Sequence, residues 1–441
     1  MAGDVQAILP RWLVPVRPEG QVLEDHAVIV VDGRIEAIIG AGDVGGLYPE
    51  AHRIELPVHA LIPGLINAHT HNAMSLLRGL ADDLPLMTWL EDHIWPSEQR
   101  WVGPEFVRAG SELAMAEMLA GGTTCFNDNY FFPDVTAEVA REAGMRAVIG
   151  LPVISLPTAW ASNEDEYFQR ALEVREDLLG DPLLTTAFAP HAPYTVSDAA
   201  FTRMRELADK TGIPIHLHLL ETAQEVDDSL AAHGRRPLDR LADLGLLGPS
   251  LLAVHMTQLG EDDIERIASA GVHVLHCPAS NLKLASGICP VAALDSAGVN
   301  VSIGTDGAAS NNTLDMFAEM RLAALLAKGA SGDPEAIPAA RAVSMATLNG
   351  ARALGLETQV GSIEVGKSAD LAAIALDRSG SLPVNSVISH LVYAVGREQV
   401  SDVWVAGQRV YEQGRMTRLD VDSIHRTAGQ WAERLTAGEQ K

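Results

Sequence analysis

Two histidines stand one residue apart in "LINAHTHNA", residues 65–73, just after an apolar run. Residues i and i+2 of an extended strand share a face, so His69 and His71 can aim at a common point. Two imidazole nitrogens there make a corner for a metal, because neutral imidazole suits a borderline divalent ion such as zinc or ferrous iron. Other polar residues close apolar runs in the same way: His191 in "LLTTAFAPHAP", His218 in "IPIHLHLLE", His255 in "LLAVHMTQ" and Asp306 in "NVSIGTD". His216 shares the face of His218 but lies further from the strand end, so it reads as a hydrogen-bonded histidine in a lower layer. Glu221 follows His218 by three residues and suits a proton carrier held beside the metal. Its bland alternative is a solvated residue opening the next helix, its charge favoured by the helix N-terminus.

Weaker candidates surround these. His276, in "LHCPASN", reads as a supporting residue at a strand end or loop. Cys125 and Cys277 read as buried small hydrophobes, since no basic neighbour would activate a thiolate. Trp89 and Trp95 have a spacing that fits the apolar face of a helix, which favours core packing over stacking on a substrate.

The elements that would bring these residues together are short apolar strands alternating with amphipathic stretches such as "PEFVRAGSELAMAEMLAGG" and "DAAFTRMRELADKTG". Eight such strands over about 250 residues fit a (β/α)8 barrel, an α/β fold whose reactive groups gather at the carboxyl ends of the strands. The aromatic-bearing stretch "LPLMTWLEDHIWPSEQRW", which carries Glu98, interrupts the pattern after the first strand as a lid would. Near the N-terminus two β-rich runs meet at Asp32-Gly33, a pair suited to a type I′ turn. Val-rich runs in "VSDVWVAGQRVYEQGRM" repeat the pattern near the other end. A small β-sandwich domain is therefore expected from residues 1–60 plus 365–420, with the barrel over 61–364 and a helical tail over 421–441.

Composition sets the class of partner. The 441 residues are 47% hydrophobic, ample for a large core. With 58 acidic against 32 basic residues the net charge is -26, which repels polyphosphate backbones and argues against nucleic acid. Three cysteines without a C-x-x-C spacing give neither a disulfide framework nor a thiolate zinc site, and suit a reducing compartment. The first residues lack a basic stretch followed by an apolar one, and no apolar run reaches the roughly 20 residues that span a bilayer. A cytoplasmic protein without membrane contact is expected.

Taken together, "PGLINAHTH", "HLHLLET", His255 and "SIGTDGAASNN" resemble the amidohydrolase superfamily in its single-metal aminohydrolase branch. The resemblance runs through "GSIEVGKSADLAAI" near the C-terminus and is greatest to the methylthioadenosine and S-adenosylhomocysteine deaminases, which are grouped with the triazine hydrolases. It implies one divalent metal ion, zinc or iron, on His69, His71, His218 and Asp306. It also implies Glu221 as proton shuttle, His255 beside the attacking water, and substrate contacts from Glu98 and His191. The activity implied is hydrolytic deamination of a small-molecule purine nucleoside at C6 by a homo-oligomer. Relatives that act on homocysteine conjugates can carry arginines after the third strand, whereas "GLPVISLPTAWAS" has no basic residue. That departure points to 5′-methylthioadenosine over S-adenosylhomocysteine, with adenosine as a lesser substrate. The competing readings are another aminohydrolase or triazine-type chlorohydrolase on guanine, cytosine or an s-triazine, and a catalytically silent barrel serving as a scaffold.

Overall fold

The computed structural model describes residues 5–439. Its centre is an eight-stranded parallel sheet in which every strand pairs with its neighbours in sequence order. The strands are Leu65–Thr70, Thr123–Asp128, Arg146–Val153, Leu184–Pro190, Ile215–Leu219, Leu251–His255, His273–His276 and Val301–Ile303. They read as near-continuous apolar runs because helices cover the outer face while side chains fill the interior. The sheet curls until its last strand meets its first: Asp306 N donates to His69 O at 3.0 Å and Thr305 N to Asn67 Oδ1 at 2.9 Å. This seam explains Gly304, where a Cβ atom would lie 2.7 Å from His69 N. Any side chain there would push the eighth strand off the first and separate Asp306 from His69 and His71.

A second, mixed sheet takes strands from both ends of the chain. His52–Pro63 lies between Val5–Leu13, which it pairs with in parallel, and Leu371–Ala375, which runs antiparallel to it. It then passes through Gly64 directly into the first barrel strand. The expected hairpin forms between His26–Val31 and Arg34–Gly40, with Asp32 and Gly33 both in the left-handed region at φ 47° and 81° as a type I′ turn requires. Ala406 and Gly407 repeat the device at φ 46° and 74°. The sheet is fastened to the barrel by a buried ion pair: Arg146, opening the third barrel strand, donates to Asp370 Oδ2 from Nε at 2.8 Å and to Oδ1 from a terminal nitrogen at 3.2 Å.

After the first barrel strand the chain leaves the barrel as helical turns over Leu86–Trp89, Leu90–Ile94 and Trp95–Trp101. Leu86, Leu90, Ile94, Glu98 and Val102 all line the cavity above the strand ends. Their spacing of four puts them on one face of the helical segment. The terminal helix Val421–Glu439 packs behind it, with Trp431 edge-on to Phe106 and Trp101 at 5.3 and 6.2 Å between ring centroids. Among the described residues no helix is long and apolar enough to cross a membrane.

Candidate active site

Four side chains converge where the first, fifth and eighth strands end. The donor atoms of His69, His71, His218 and Asp306 all lie within 4.8 Å of one another. Asp306 Oδ1 is 3.2 Å from both His69 Nε2 and His71 Nε2, and His218 Nε2 is 3.2 and 3.3 Å from the same two nitrogens. Main-chain carbonyls fix the tautomers. His71 Nδ1 donates to Asn129 O at 2.5 Å and His218 Nδ1 to His191 O at 2.6 Å, and since a carbonyl can only accept, both Nε2 atoms present lone pairs. His69 Nδ1 shares a hydrogen bond with His216 Nε2 at 2.8 Å, and with His69 as donor its Nε2 also presents a lone pair. Nitrogen lone pairs facing one another and a carboxylate repel unless a cation sits among them. The donor set fits one: three imidazole nitrogens and a carboxylate oxygen, gathered within 4.8 Å, are the ligand types that a borderline divalent ion such as zinc takes. His216 is thus a buried support beneath His69, in the lower layer where its position along the strand put it.

Asp306 is itself held firmly. Its Oδ2 accepts from Ser280 Oγ at 2.6 Å and Ser310 Oγ at 2.9 Å, and its Oδ1 from Gly307 N at 2.7 Å. Behind these loops, buried Glu319 accepts from Ala279 N at 3.1 Å and Asn311 Nδ2 at 2.9 Å, tying the turn after the seventh strand to the turn after the eighth. Burial pushes Glu319 up to about 8. Ser280 and Glu319 were not legible as contributors, because each acts on a partner distant in sequence, Asp306 and Ala279, 26 and 40 residues away.

Glu221 lies buried beside this group, its Oε2 3.7 Å from His255 Nε2 and its Oε1 accepting from Ser286 Oγ at 3.3 Å. Burial raises its pKa above the ordinary carboxylate range. It does not open the next helix. That role belongs to Thr222, whose Oγ1 accepts from Glu225 N at 3.2 Å, while the Glu225 carboxylate reaches back to Leu220 N at 3.0 Å and Glu221 N at 2.8 Å. The signal was present as T-x-x-E, the pattern of a capping box. Glu225→Ala should therefore free the main chain at Glu221: we expect a fall of about 10-fold in turnover with metal content unchanged, and about 1 kcal/mol less stability from the lost cap. Steady-state kinetics beside elemental analysis checks this.

His255 occupies the left-handed region at φ 74°, a conformation that costs a non-glycine residue about 1–3 kcal/mol and turns its ring toward the site. Asn281 Nδ2 lies 3.0 Å from His255 Nδ1 and keeps the ring in place. His276 is buried at the end of the seventh strand; its ring nitrogens have no hydrogen-bond partner among the described groups, and its carbonyl accepts from Gly304 N at 3.0 Å, two residues before Asp306. Cys125 and Cys277 are buried thiols, raised by desolvation, as expected of small hydrophobes.

Above the strand ends opens a cavity of about 730 Å³ that receives His71, His191, His218, Glu221, His255 and Asp306 from below and Glu98 from the helical insertion. His191 thus presents its ring to the cavity while its carbonyl orients His218. Glu98 Oε1 accepts from Tyr130 Oη at 2.7 Å, and burial lifts the carboxyl to about 7 against the opposing effect of that bond. The upper wall is largely apolar, with Leu86, Phe131, Ile154, Leu156, Pro157 and Leu284, and it also carries Glu91, Gln99 and Thr158. Trp89 and Trp95 belong to it as well, so the packing expected of them is accompanied by a surface on the cavity. Among the described lining residues none is lysine or arginine. Arg170, which follows the loop after the third strand, pairs with Glu166 on its own helix at 2.7 Å.

Residues 60–410 match the amidohydrolase family. The chain is 50% identical over 426 residues to the 5-methylthioadenosine/S-adenosylhomocysteine deaminase of Teredinibacter turnerae, covering 97% of this chain and 96% of that protein. Among solved structures it superposes with a TM-score of 0.97 on an adenosine deaminase from Xanthomonas campestris with bound zinc, at 54% identity over 98% of both chains. An atrazine chlorohydrolase from Arthrobacter aurescens complexed with zinc gives a TM-score of 0.90 at 23% identity, over 97% of this chain and 99% of that one, and shares the fold.

Proposed function

The chain belongs to the amidohydrolase family, and from that premise we propose that it is a metal-dependent aminohydrolase converting 5′-methylthioadenosine to its 6-oxo analogue and ammonia, with adenosine as a lesser substrate. His69, His71, His218 and Asp306 would hold one divalent ion, and the zinc of the Xanthomonas campestris relative supports zinc. When bound, such an ion supplies Lewis acidity, bringing the pKa of water from 15.7 toward about 7. A second ion is not expected, because the fourth strand, Leu184–Pro190, offers no lysine as a bridging ligand.

Glu221 takes a proton from the attacking water and passes it to a ring nitrogen of the purine, which makes C6 electrophilic. His255, facing Glu221, orients the water and the oxygen that becomes bonded to C6. Asp306 accepts a hydrogen bond from the same water. A second proton delivered to the amino group lets ammonia leave. His191 faces the base from the rim. Glu98 accepts from the ribose hydroxyls, and the apolar wall beyond it receives the 5′ substituent. Three buried, unpaired cysteines accord with a cytoplasmic setting, and the homo-oligomer expected of such enzymes is part of the same reading.

The observation that carries the substrate assignment is the Glu98 carboxylate, held by Tyr130 in a largely apolar upper wall that has no lysine or arginine among its described lining residues. A nucleoside has hydroxyls for Glu98. A nucleotide would bring phosphate toward it, and the carboxylate of S-adenosylhomocysteine would find no cationic partner. Two measurements test the assignment together. Elemental analysis should find one tightly bound equivalent of metal, and an ammonia-release screen should rank 5′-methylthioadenosine above adenosine and S-adenosylhomocysteine. Glu98→Ala should lower kcat/KM on the nucleoside roughly 10- to 150-fold, the value of a charge-assisted hydrogen bond of about 1.5–3 kcal/mol. Preference for S-adenosylhomocysteine would overturn the reading of the wall; ammonia from guanine or cytosine alone, or chloride from an s-triazine, would establish the competing reaction.

A further inference from the structure

Glu98 and the metal ligands sit on different elements, yet both are held by one short loop. The residues that follow the second barrel strand are Asn129, Tyr130 and Phe131. Asn129 N donates to Thr70 O at 3.0 Å and its carbonyl accepts from His71 Nδ1, so the loop is pinned to the first strand at the metal ligand. Asp128, just before it, accepts from Asn72 N at 2.8 Å and adds a second pin. Tyr130 is 5% exposed, with its ring 5.3 Å from that of Phe131 and 6.4 Å from that of His71. Its phenol is therefore placed by the barrel, and it ends 2.7 Å from Glu98 Oε1 on the insertion.

We infer that Tyr130 is a positioning residue for Glu98: its phenol crosses from the barrel to the insertion, fixes the carboxylate in the orientation that meets ribose hydroxyls, and so sets affinity for the nucleoside. The inference rests on the proposed role of Glu98 and goes beyond it by assigning the group that prepares the carboxylate. A glutamate has three rotatable bonds, and a free side chain must be immobilised each time a ligand binds. The phenol removes that freedom beforehand. It occupies one acceptor site of Oε1 and leaves Oε2 and the remaining lone pair of Oε1 for hydroxyls. The bond also joins the insertion to the pinned loop, so the face bearing Leu90, Ile94 and Glu98 is aligned with the metal ligands below.

The test is steady-state kinetics on the metal-loaded enzyme for Tyr130→Phe, Glu98→Ala and the double variant, using 5′-methylthioadenosine and its 2′,3′-dideoxy analogue. Phenylalanine keeps the ring and its packing. We expect Tyr130→Phe to raise KM for 5′-methylthioadenosine about 3- to 10-fold with kcat within about 2-fold, the cost of one immobilised side chain. It should leave the dideoxy analogue unaffected and add nothing in the Glu98→Ala background. An equal loss on both substrates would mean that the phenol only supports the fold, and an undiminished penalty in the double variant would mean that it acts apart from Glu98; either result overturns the inference. If Glu98→Ala weakens the nucleoside but Tyr130→Phe does not, the role of Glu98 stands and that of Tyr130 falls. If Glu98→Ala has no effect, both fall together.

Discussion

Glu221→Gln is expected to keep one equivalent of bound metal and to lose about 100-fold or more in kcat, the contribution typical of a positioned general acid–base group. The amide matches the carboxylate in size and can still accept from Ser286 Oγ, so the pocket should not rearrange. Glu225 holds the main chain of Glu221 from below and is untouched by the change. What disappears is the site that carries a proton from water to the purine ring. Burial favours the protonated form of Glu221 over that of an exposed carboxylate, which brings its proton affinity closer to that of the groups it must serve. Single-turnover rates beside elemental analysis separate a lost proton carrier from a lost metal. Activity within a few-fold of the parent would remove Glu221 from the reaction, whereas loss of metal would make it structural.

The second large effect concerns stability. Arg146→Met should destabilise the protein by about 3–5 kcal/mol, because it leaves the Asp370 carboxylate buried without its cation. Asp370 is 3% exposed, and its donors among the described residues other than Arg146 are neutral, Ser368 Oγ at 2.6 Å and Ala406 N at 2.8 Å. Neutralising it should recover much of the loss, so the double variant Arg146→Met/Asp370→Asn is expected to lie closer to the parent than to the single variant. Urea unfolding of the three proteins measures this. A single variant within about 1 kcal/mol of the parent would show that the pair does not fasten the end-built sheet to the barrel.

Some features of this protein were written locally and could be read directly. The period-2 placement of His69 and His71 fixed their common face whatever the rest of the chain did. The alternation of apolar strands with amphipathic helices implied a barrel, and Asp32-Gly33 implied its turn. Even the layer occupied by His216 followed from its distance to the strand end. The T-x-x-E that restrains Glu221 is equally local, with Thr222 capping the helix and Glu225 reaching back to the main chain at Leu220 and Glu221.

By itself, then, the sequence determined which side chains share a face, where strands stop and which donor chemistry gathers at those ends, since all of these depend on neighbours a few residues apart. Only the tertiary structure decided which ends meet. Asp306 reaches His69 because the eighth strand closes on the first at Gly304, and Ser280 reaches Asp306 from the turn after the neighbouring seventh strand. Glu98 finds Tyr130 because the helical insertion folds back over the mouth, a placement set by packing along its apolar face and visible in no local pattern. The physical reason is one of range: backbone periodicity acts over a few residues, whereas these contacts depend on the closure of the barrel and on how its covering segment packs.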